Sequence, residues 1–86
     1  MRLDKFLKVS RLVRRRTLAK EVAEQGRVTI NGNRAKAGTN VAPGDEIAIR
    51  FGPKLVTVKV NEVKETVRKN EAEMLYDVVS EERIEE

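Results

Sequence analysis

The sequence predicts an α+β fold with two N-terminal helices packed on a small antiparallel sheet and a further helix near the C-terminus. Helical spacing of apolar residues over residues 2–25 predicts the two helices. The pair Asn31-Gly32 between alternating segments predicts a β-hairpin, because it suits a two-residue type I′ turn. Alternating apolar residues over 46–51 and 55–60 predict further strands.

The first helix is predicted over residues 2–9. Leu3, Phe6 and Leu7 fall at positions i, i+3 and i+4, so they share one face of this helix. We expect that face to lie in the core. Stacking of Phe6 on a nucleic-acid base is an alternative that this spacing favours less.

An arginine-rich stretch follows the first helix. It holds four arginines, one lysine and no acid in the sequence Arg11-Leu12-Val13-Arg14-Arg15-Arg16-Thr17-Leu18-Ala19-Lys20. A guanidinium binds phosphate through a rigid fork of donors. Like charges this dense also repel one another unless an anion compensates them. We therefore expect a phosphate-binding surface rather than a solvated basic loop.

The second helix is predicted over residues 18–25, with Thr17 as its N-cap and Gly26 as the left-handed residue that ends it. Leu18 is expected on the core face. Lys20 takes the N3 position, where Glu or Gln would complete a capping box, and a lysine there opposes the helix dipole. This mismatch favours an external anion near Lys20.

The return strand of the hairpin is predicted to place Ala35 inward and Arg34 and Lys36 outward. The hairpin would then present one apolar face and one basic face. Farther along, Pro43-Gly44-Asp45 fits a type II turn, with Pro at position i+1 and Gly at i+2. That turn leads into the strand predicted over 46–51.

Residues 61–86 differ in character, since they hold nine acids and four bases. Asn70 with Glu73 at N3 offers a helix cap, and the residues that follow predict a helix over about 70–80. Its apolar stripe consists of Met74, Leu75, Val78 and Val79. We expect this stripe to pack on the sheet, and binding of a partner protein is the alternative.

Charge is divided between the two parts of the chain. Residues 1–36 hold eleven Lys or Arg and three Asp or Glu, a balance of +8. Residues 37–86 hold seven Lys or Arg and eleven Asp or Glu, a balance of −4, and the two sum to the net charge of +4. A basic part beside an acidic part favours one polyanion-binding face.

The composition argues against several kinds of function. The 86 residues contain no His and no Cys, which removes the commonest general base, the commonest metal ligands and any disulfide. No apolar run approaches the roughly 20 residues that span a bilayer. We therefore expect no enzyme activity, no cofactor or metal, no membrane contact and a cytoplasmic location.

Five short pieces, taken in their order along residues 1 to about 50, resemble the S-four RNA-binding domain, or αL motif. They are Arg2-Leu3-Asp4-Lys5-Phe6-Leu7, Arg16-Thr17-Leu18-Ala19, Gln25-Gly26-Arg27-Val28, Ile30-Asn31-Gly32 and Pro43-Gly44-Asp45-Glu46-Ile47. The resemblance implies an S-four-type RNA-binding domain over residues 1–60 with its motif core in 1–50, followed by an acidic extension over 61–86.

The opening through Gly26 and residues 51–58 are similar to the RqcP-like proteins of this family, relatives of heat-shock protein fifteen. That similarity implies a non-catalytic ribosome quality control factor, and we expect a monomer. Its partners would be obstructed large ribosomal subunits, their rRNA and peptidyl-tRNA, and an RqcH-like factor that adds C-terminal alanine tails. The alternatives are a heat-shock-type subunit-binding or recycling factor, another structured-RNA binding module, or an accessory or protein-interaction domain that uses its acidic helix.

With so few aromatic residues, we expect contact with phosphates and with the shape of structured RNA rather than base stacking. Arg16 and Arg2 are the strongest candidates among the predicted RNA-contacting residues. Asp4 is expected to orient neighbouring arginines such as Arg16, and a plain first-turn acid is an equal alternative. The predicted RNA-contacting set is Arg2, Lys5, Lys8, Arg11, Arg14, Arg15, Arg16, Lys20, Arg27, Arg34 and Lys36, and the structural set is Asp4, Thr17, Gly26, Asn31 and Gly32.

Overall fold

The computed structural model describes residues 1–84. Five strands form one antiparallel sheet in the order β2-β1-β3-β4-β5. The elements are α1 (Leu3–Val9), α2 (Arg16–Glu24), β1 (Val28–Ile30), β2 (Asn33–Arg34), β3 (Glu46–Phe51), β4 (Lys54–Val60), a 3₁₀ helix (Lys69–Leu75) and β5 (Tyr76–Arg83). The predicted α+β class, with two N-terminal helices on an antiparallel sheet, is confirmed.

The core lies between the helices and one face of the sheet. Leu3, Phe6 and Leu7 of α1 are fully buried, as the helical spacing predicts. Ile47 and Ile49 of β3 are also fully buried, because alternate residues of a strand point to the same face. Phe6 is therefore a core residue, and its side chain is not available for base stacking.

The β1–β2 hairpin has the predicted turn. Asn31 and Gly32 both have positive φ angles, +52° and +83°, as a type I′ turn requires. The Asn31 side chain also links this turn to the start of β3. Its Nδ2 donates to Asp45 Oδ1 at 3.1 Å, and its Oδ1 accepts from the Glu46 backbone N–H at 2.9 Å. These two hydrogen bonds connect the hairpin turn to the Pro43-Gly44-Asp45 turn.

The start of α2 differs from the prediction. The helix begins at Arg16, and the extended residue Arg15 is its N-cap, without a side-chain cap hydrogen bond among the described residues. Thr17 therefore lies inside the first turn and is not the N-cap. Lys20 is not at N3 either, so the mismatch predicted there does not apply. The reason is that the Ala19 N–H bonds to the Arg15 carbonyl at 3.0 Å, which starts the helix two residues earlier.

Leu18 is not in the core, contrary to the prediction. Its side chain is 46% exposed, whereas Ala19, Val22 and Ala23 are buried. α2 packs closely against α1, and small alanines at i and i+4 suit such a close approach. This turns Leu18 toward solvent at the margin of the helix pair.

The prediction of a helix over about 70–80 is wrong for the second half of that range. A 3₁₀ helix covers Lys69–Leu75, and residues 76–80 belong to β5, which pairs with β4. Pairing satisfies backbone groups along β4 that would otherwise form the sheet edge, and the β-branched pair Val78 and Val79 suits a strand. Leu75 is 1% exposed and packs internally as predicted. Met74, Val78 and Val79 are exposed, so the prediction that the apolar stripe packs on the sheet is wrong for these three residues.

Candidate nucleic-acid interface

The loop after β2 crosses the N-terminal end of α1 and holds it. The Leu3 N–H donates to the Thr39 carbonyl at 2.8 Å, and the Asp4 N–H donates to the Ala37 carbonyl at 3.1 Å. First-turn N–H groups have no partner within their own helix, so these two bonds satisfy donors that would otherwise need water. Arg2 is the N-cap of α1 and is extended. The backbone that carries Arg2 and Asp4 is thus anchored to this loop.

Asp4 joins the two helices through two arginines. Arg2 Nε donates to Asp4 Oδ1 and Arg16 Nε donates to Asp4 Oδ2, each at 3.2 Å. The Lys5 backbone N–H adds a bond to Oδ1 at 2.9 Å. The Asp4 side chain is 2% exposed, while those of Arg2 and Arg16 are 52% and 49% exposed. These contacts agree with the interpretation in which Asp4 orients neighbouring arginines, rather than with a plain first-turn acid.

Burial and charge act on Asp4 in opposite directions. Burial raises the pKa of its carboxyl, but the hydrogen bonds and positive charges of Arg16, followed by those of Arg2, outweigh it. The pKa of Asp4 therefore lies below its ordinary value of 3.8. Asp4 is ionised at neutral pH and keeps both guanidinium groups in fixed positions.

A shallow concavity opens where these side chains meet. Its lining residues, which we call the Asp4 cluster, are Arg2, Asp4, Arg16, Thr17 and Lys20. Three positive charges and one negative charge leave this cluster a net charge of +2. Each arginine engages Asp4 through Nε, which leaves its two terminal amino groups for another acceptor. The chemistry of the cluster suits one or more phosphate groups.

Lys5, Lys8 and Arg11 lie on another part of the surface. Lys5 forms an ion pair with Glu65 of the segment between β4 and the 3₁₀ helix. Lys8 and Arg11 line a separate concavity together with Glu65 and residues 66–67. The structure thus brings an acid to these cations, a contact that no local pattern in the sequence indicates because 60 residues separate Lys5 from Glu65.

Arg14 and Arg15 directly precede the first turn of α2, and Arg15 is its N-cap. They line a concavity with Thr17, Leu18 and Glu21, so it adjoins the Asp4 cluster through Thr17. Both arginines are exposed. The exposed Leu18 therefore places an apolar side chain within the arginine-rich surface, where sequence analysis expected none.

The hairpin cations are divided between two locations. The Arg34 guanidinium lies so close to Gly26 that a Cβ built at Gly26 would be 2.2 Å from Arg34 Nη2, and Gly26 has a φ of +74°. The left-handed backbone therefore favours glycine at position 26, and the absence of a side chain there leaves room for the Arg34 guanidinium. Arg27 lines a concavity on the uncovered face of the sheet with Arg50, which sequence analysis did not single out. Lys36 is exposed.

Neither a metal site nor a membrane-crossing helix is found among residues 1–84. No cluster of His, Cys, Asp and Glu in that range could hold a metal ion. None of the helices there combines the length and the apolar character needed to cross a bilayer.

Comparison with known proteins identifies the family. A model of the S4 domain matches residues 1–47, more than half of the chain. The chain belongs to the S4 domain family. The resemblance found in the sequence motifs is thereby confirmed, and the matched range includes every residue of the Asp4 cluster.

Two relatives match this S4 domain protein over nearly its whole length, and both have the same name. The RQC P-site tRNA stabilizing factor of Halalkalibacterium halodurans is 73% identical over 84 residues, which are 98% of this chain and 96% of that protein. The factor of the same name from Bacillus subtilis is 66% identical over 84 residues, 98% of each.

Among solved structures, the trimeric structure of Vibrio cholerae heat shock protein 15 is similar in fold. It has a TM-score of 0.86 and 34% identity, and the match covers 93% of this chain and 82% of that one. The predicted relationship to heat-shock protein fifteen is thus supported by both fold and sequence.

Proposed function

We propose that this S4 domain binds structured RNA through the Asp4 cluster and the adjoining arginines. The observation that carries the proposal is the buried Asp4 carboxylate held between Arg2 and Arg16. Two guanidinium groups fixed in this way lose less conformational freedom on binding phosphate than free side chains would. The cluster is therefore organised for phosphate before RNA arrives.

In this proposal, contacts to phosphates fix the position of the protein on the RNA and do not read the base sequence. The arginine forks and the Lys20 ammonium neutralise phosphates along one RNA backbone, and the exposed Arg14 and Arg15 extend the cationic surface. An A-form duplex suits such a surface because its shape, phosphates and 2′-hydroxyls are its accessible features. The remaining predicted contacts, from Lys5, Lys8, Arg11, Arg27, Arg34 and Lys36, would flank this centre.

The relatives' names indicate which RNA. Proteins 73% and 66% identical to this chain are named for stabilizing P-site tRNA in ribosome quality control. The chain would accordingly act in the cytoplasm as a non-enzymatic factor on obstructed large ribosomal subunits, and would contact rRNA and peptidyl-tRNA. By holding that tRNA in place it would support alanine tailing of the stalled chain by an RqcH-like factor.

The first test compares Arg16→Ala with a matched control. Lys69 is an exposed cation at the start of the 3₁₀ helix, so Lys69→Ala removes the same charge elsewhere. Arg16→Ala should weaken binding to large subunits carrying peptidyl-tRNA by about tenfold or more, because a charge-assisted hydrogen bond contributes roughly 1.5–3 kcal/mol. Lys69→Ala should change it little. Equal effects of the two variants would overturn the proposed site.

A heat-shock-type function on free subunits is the second candidate, favoured by the similarity to Vibrio cholerae heat shock protein 15. Sedimentation of the protein with purified large subunits separates the two functions. Preference for subunits that carry peptidyl-tRNA supports the quality control function. Equal or stronger binding to empty subunits would support the heat-shock-type function instead.

A further inference from the structure

Exposed apolar side chains are concentrated at one end of the molecule. Of the large apolar residues exposed in residues 1–84, three are Met74, Val78 and Val79, at 64%, 53% and 54% exposure. The fourth, Leu18, lies in α2. Single exposed apolar residues are common on protein surfaces, but three within six consecutive residues form a patch that needs a reason.

The patch belongs to the edge of the sheet. β5 pairs with β4 on one side and has no strand on its other side within the described chain. Backbone groups that face away from β4 along this strand are therefore open to another strand. The register also shifts, because Thr57 lies opposite Ser80 while Val58 lies opposite Val78.

The helices do not extend over this edge. Val78 lies opposite Val58, which is fully buried beneath the helical layer, yet Val78 itself is half exposed. The apolar face of the sheet thus continues to β5 without cover. Val79 is the extra residue at the register shift and is equally exposed.

Acidic side chains lie along β5 next to the exposed valines. Asp77 lies opposite Lys59 and Glu82 opposite Leu55, so both acids point to the sheet face away from Val78. Glu73 precedes β5, and Asp77 and Glu82 lie within it, all three exposed. Burial, and after it the charge of Glu73, raises the pKa of Tyr76 at the start of the strand. Glu81 differs because it pairs with Lys54 at 3.4 Å. The edge therefore combines open backbone groups, apolar side chains and negative charge.

We propose that the β5 edge docks an extended, basic polypeptide segment of another protein. The segment would pair with β5 as an additional strand, place alternate apolar side chains against Val78 and Val79, and set lysines or arginines beside the acids. This surface is distinct from the Asp4 cluster, and it lies at the edge of the sheet opposite β2. RNA binding is not required for this docking.

Charge selects this occupant over the two rivals. RNA would be repelled by Glu73, Asp77 and Glu82. A second copy that paired β5 with β5 would bring two sets of the same acids together, and like charges across a strand pair are destabilising. A basic strand meets neither obstacle, and a salt-sensitive interaction with it is expected.

The experiment uses the full chain, labelled with ¹⁵N, titrated with a short peptide of alternating lysine and valine. The control peptide replaces each lysine with glutamate. We expect the lysine peptide to shift amide signals along β5 and to slow hydrogen exchange of its outward-facing N–H groups. Signals of the Asp4 cluster should not move.

Variants identify the parts of the surface involved. Val79→Thr keeps the shape and β-branching of the side chain while adding polarity, and Asp77→Asn removes one charge. Each should weaken binding of the lysine peptide by about threefold, and the two together by about tenfold, because each removes one cross-strand contact to the peptide. Glu24→Gln, which removes an exposed acid from α2, should have no effect.

Several outcomes would overturn the docking site. These are absence of peptide binding, equal binding of the glutamate peptide, or peptide shifts centred away from β5. Concentration-dependent self-association that Val79→Thr abolishes would assign the edge to a second copy instead. RNA-induced shifts along β5 would assign it to RNA.

Discussion

Asp4 is the residue on which the positions of Arg2 and Arg16 depend. Its carboxylate is nearly inaccessible to water, and each oxygen accepts a bond from one guanidinium. An ion pair with one buried and one half-exposed partner loses less hydration than a fully buried pair, because the arginines remain partly in solvent. The Asp4 cluster is thus both a link between α1 and α2 and an arrangement of free N–H groups.

Asp4→Asn should lower both stability and RNA affinity. The neutral amide retains the shape of the side chain but loses two charge-assisted bonds, so we expect the free energy of unfolding at neutral pH to fall by about 1–3 kcal/mol. RNA affinity should fall about tenfold as the arginines lose their fixed positions. Urea denaturation and RNA titration measure the two effects. Glu24→Gln, at an exposed acid of α2, is the control and should leave both unchanged.

The difference in stability between the natural chain and Asp4→Asn should depend on pH. The folded pKa of Asp4 is lowered, so its stabilising effect is present above the unfolded pKa of about 3.9 and is lost as pH falls through the folded pKa. The difference in unfolding free energy between the natural chain and Asp4→Asn should therefore shrink below about pH 4. A difference that grows on acidification would contradict the charge state assigned to Asp4.

Arg11 carries backbone strain at the end of α1. Its φ is +63°, a left-handed conformation that glycine adopts more readily than arginine. Arg11→Gly should therefore raise the free energy of unfolding by roughly 0.5–1 kcal/mol in urea denaturation. Arg14→Gly removes the same side chain at a position without positive φ and should give no gain. Stabilisation of both variants, or of neither, would show that the left-handed conformation has no energetic cost.

At the scale of elements, the segment after β4 opposes the charge of α1. Glu65 pairs with Lys5, and it also lies beside Lys8 and Arg11. A phosphate that binds these cations must displace or accommodate the Glu65 carboxylate. We therefore expect the Glu65 carboxylate to compete with phosphate for these cations.

Glu65→Gln should strengthen RNA binding if Lys5 reaches the RNA. An exposed ion pair contributes about 0–1 kcal/mol, so the gain should be up to about fivefold. Lys5→Ala should weaken binding and also remove the benefit of Glu65→Gln in the double variant. Glu24→Gln controls for a general change of net charge. Equal gains from Glu65→Gln and Glu24→Gln would reduce the effect to net charge alone.

At the scale of the whole molecule, charge is arranged so that one surface attracts polyanions. The N-terminal part contributes the α1–α2 surface and its +8 balance, whereas the acidic C-terminal part supplies the opposite edge of the sheet. We expect this charge distribution to orient the protein as it approaches RNA, because phosphates attract the basic surface and repel the acidic edge.

RNA affinity should therefore fall steeply with salt. With several phosphates neutralised, a plot of log affinity against log salt should have a slope of about −3 or steeper, at roughly −0.7 to −0.9 per phosphate. Arg16→Ala should make the slope shallower by about one phosphate equivalent. The measurement is fluorescence anisotropy with a structured RNA over a range of salt concentrations. A slope near zero would rule out phosphate contacts as the source of affinity.

The sequence alone determined the features that depend on neighbouring residues. The Asn31-Gly32 turn, the left-handed Gly26, the buried face of α1 and the strands over 46–51 and 55–60 all follow from short-range spacing and backbone preference. The S4 family and the basic character of its N-terminal part were also evident, since motif order and charge are properties of the chain itself.

Tertiary structure decided what depends on contacts between distant segments. Residues 76–80 form a strand although their apolar spacing also fits a helix. The reason is that pairing satisfies the backbone N–H and C=O groups along β4. Close packing of α1 with α2 left Leu18 exposed. The two-arginine arrangement around Asp4 and the Lys5–Glu65 pair likewise require separated residues to meet, and no local preference encodes such meetings.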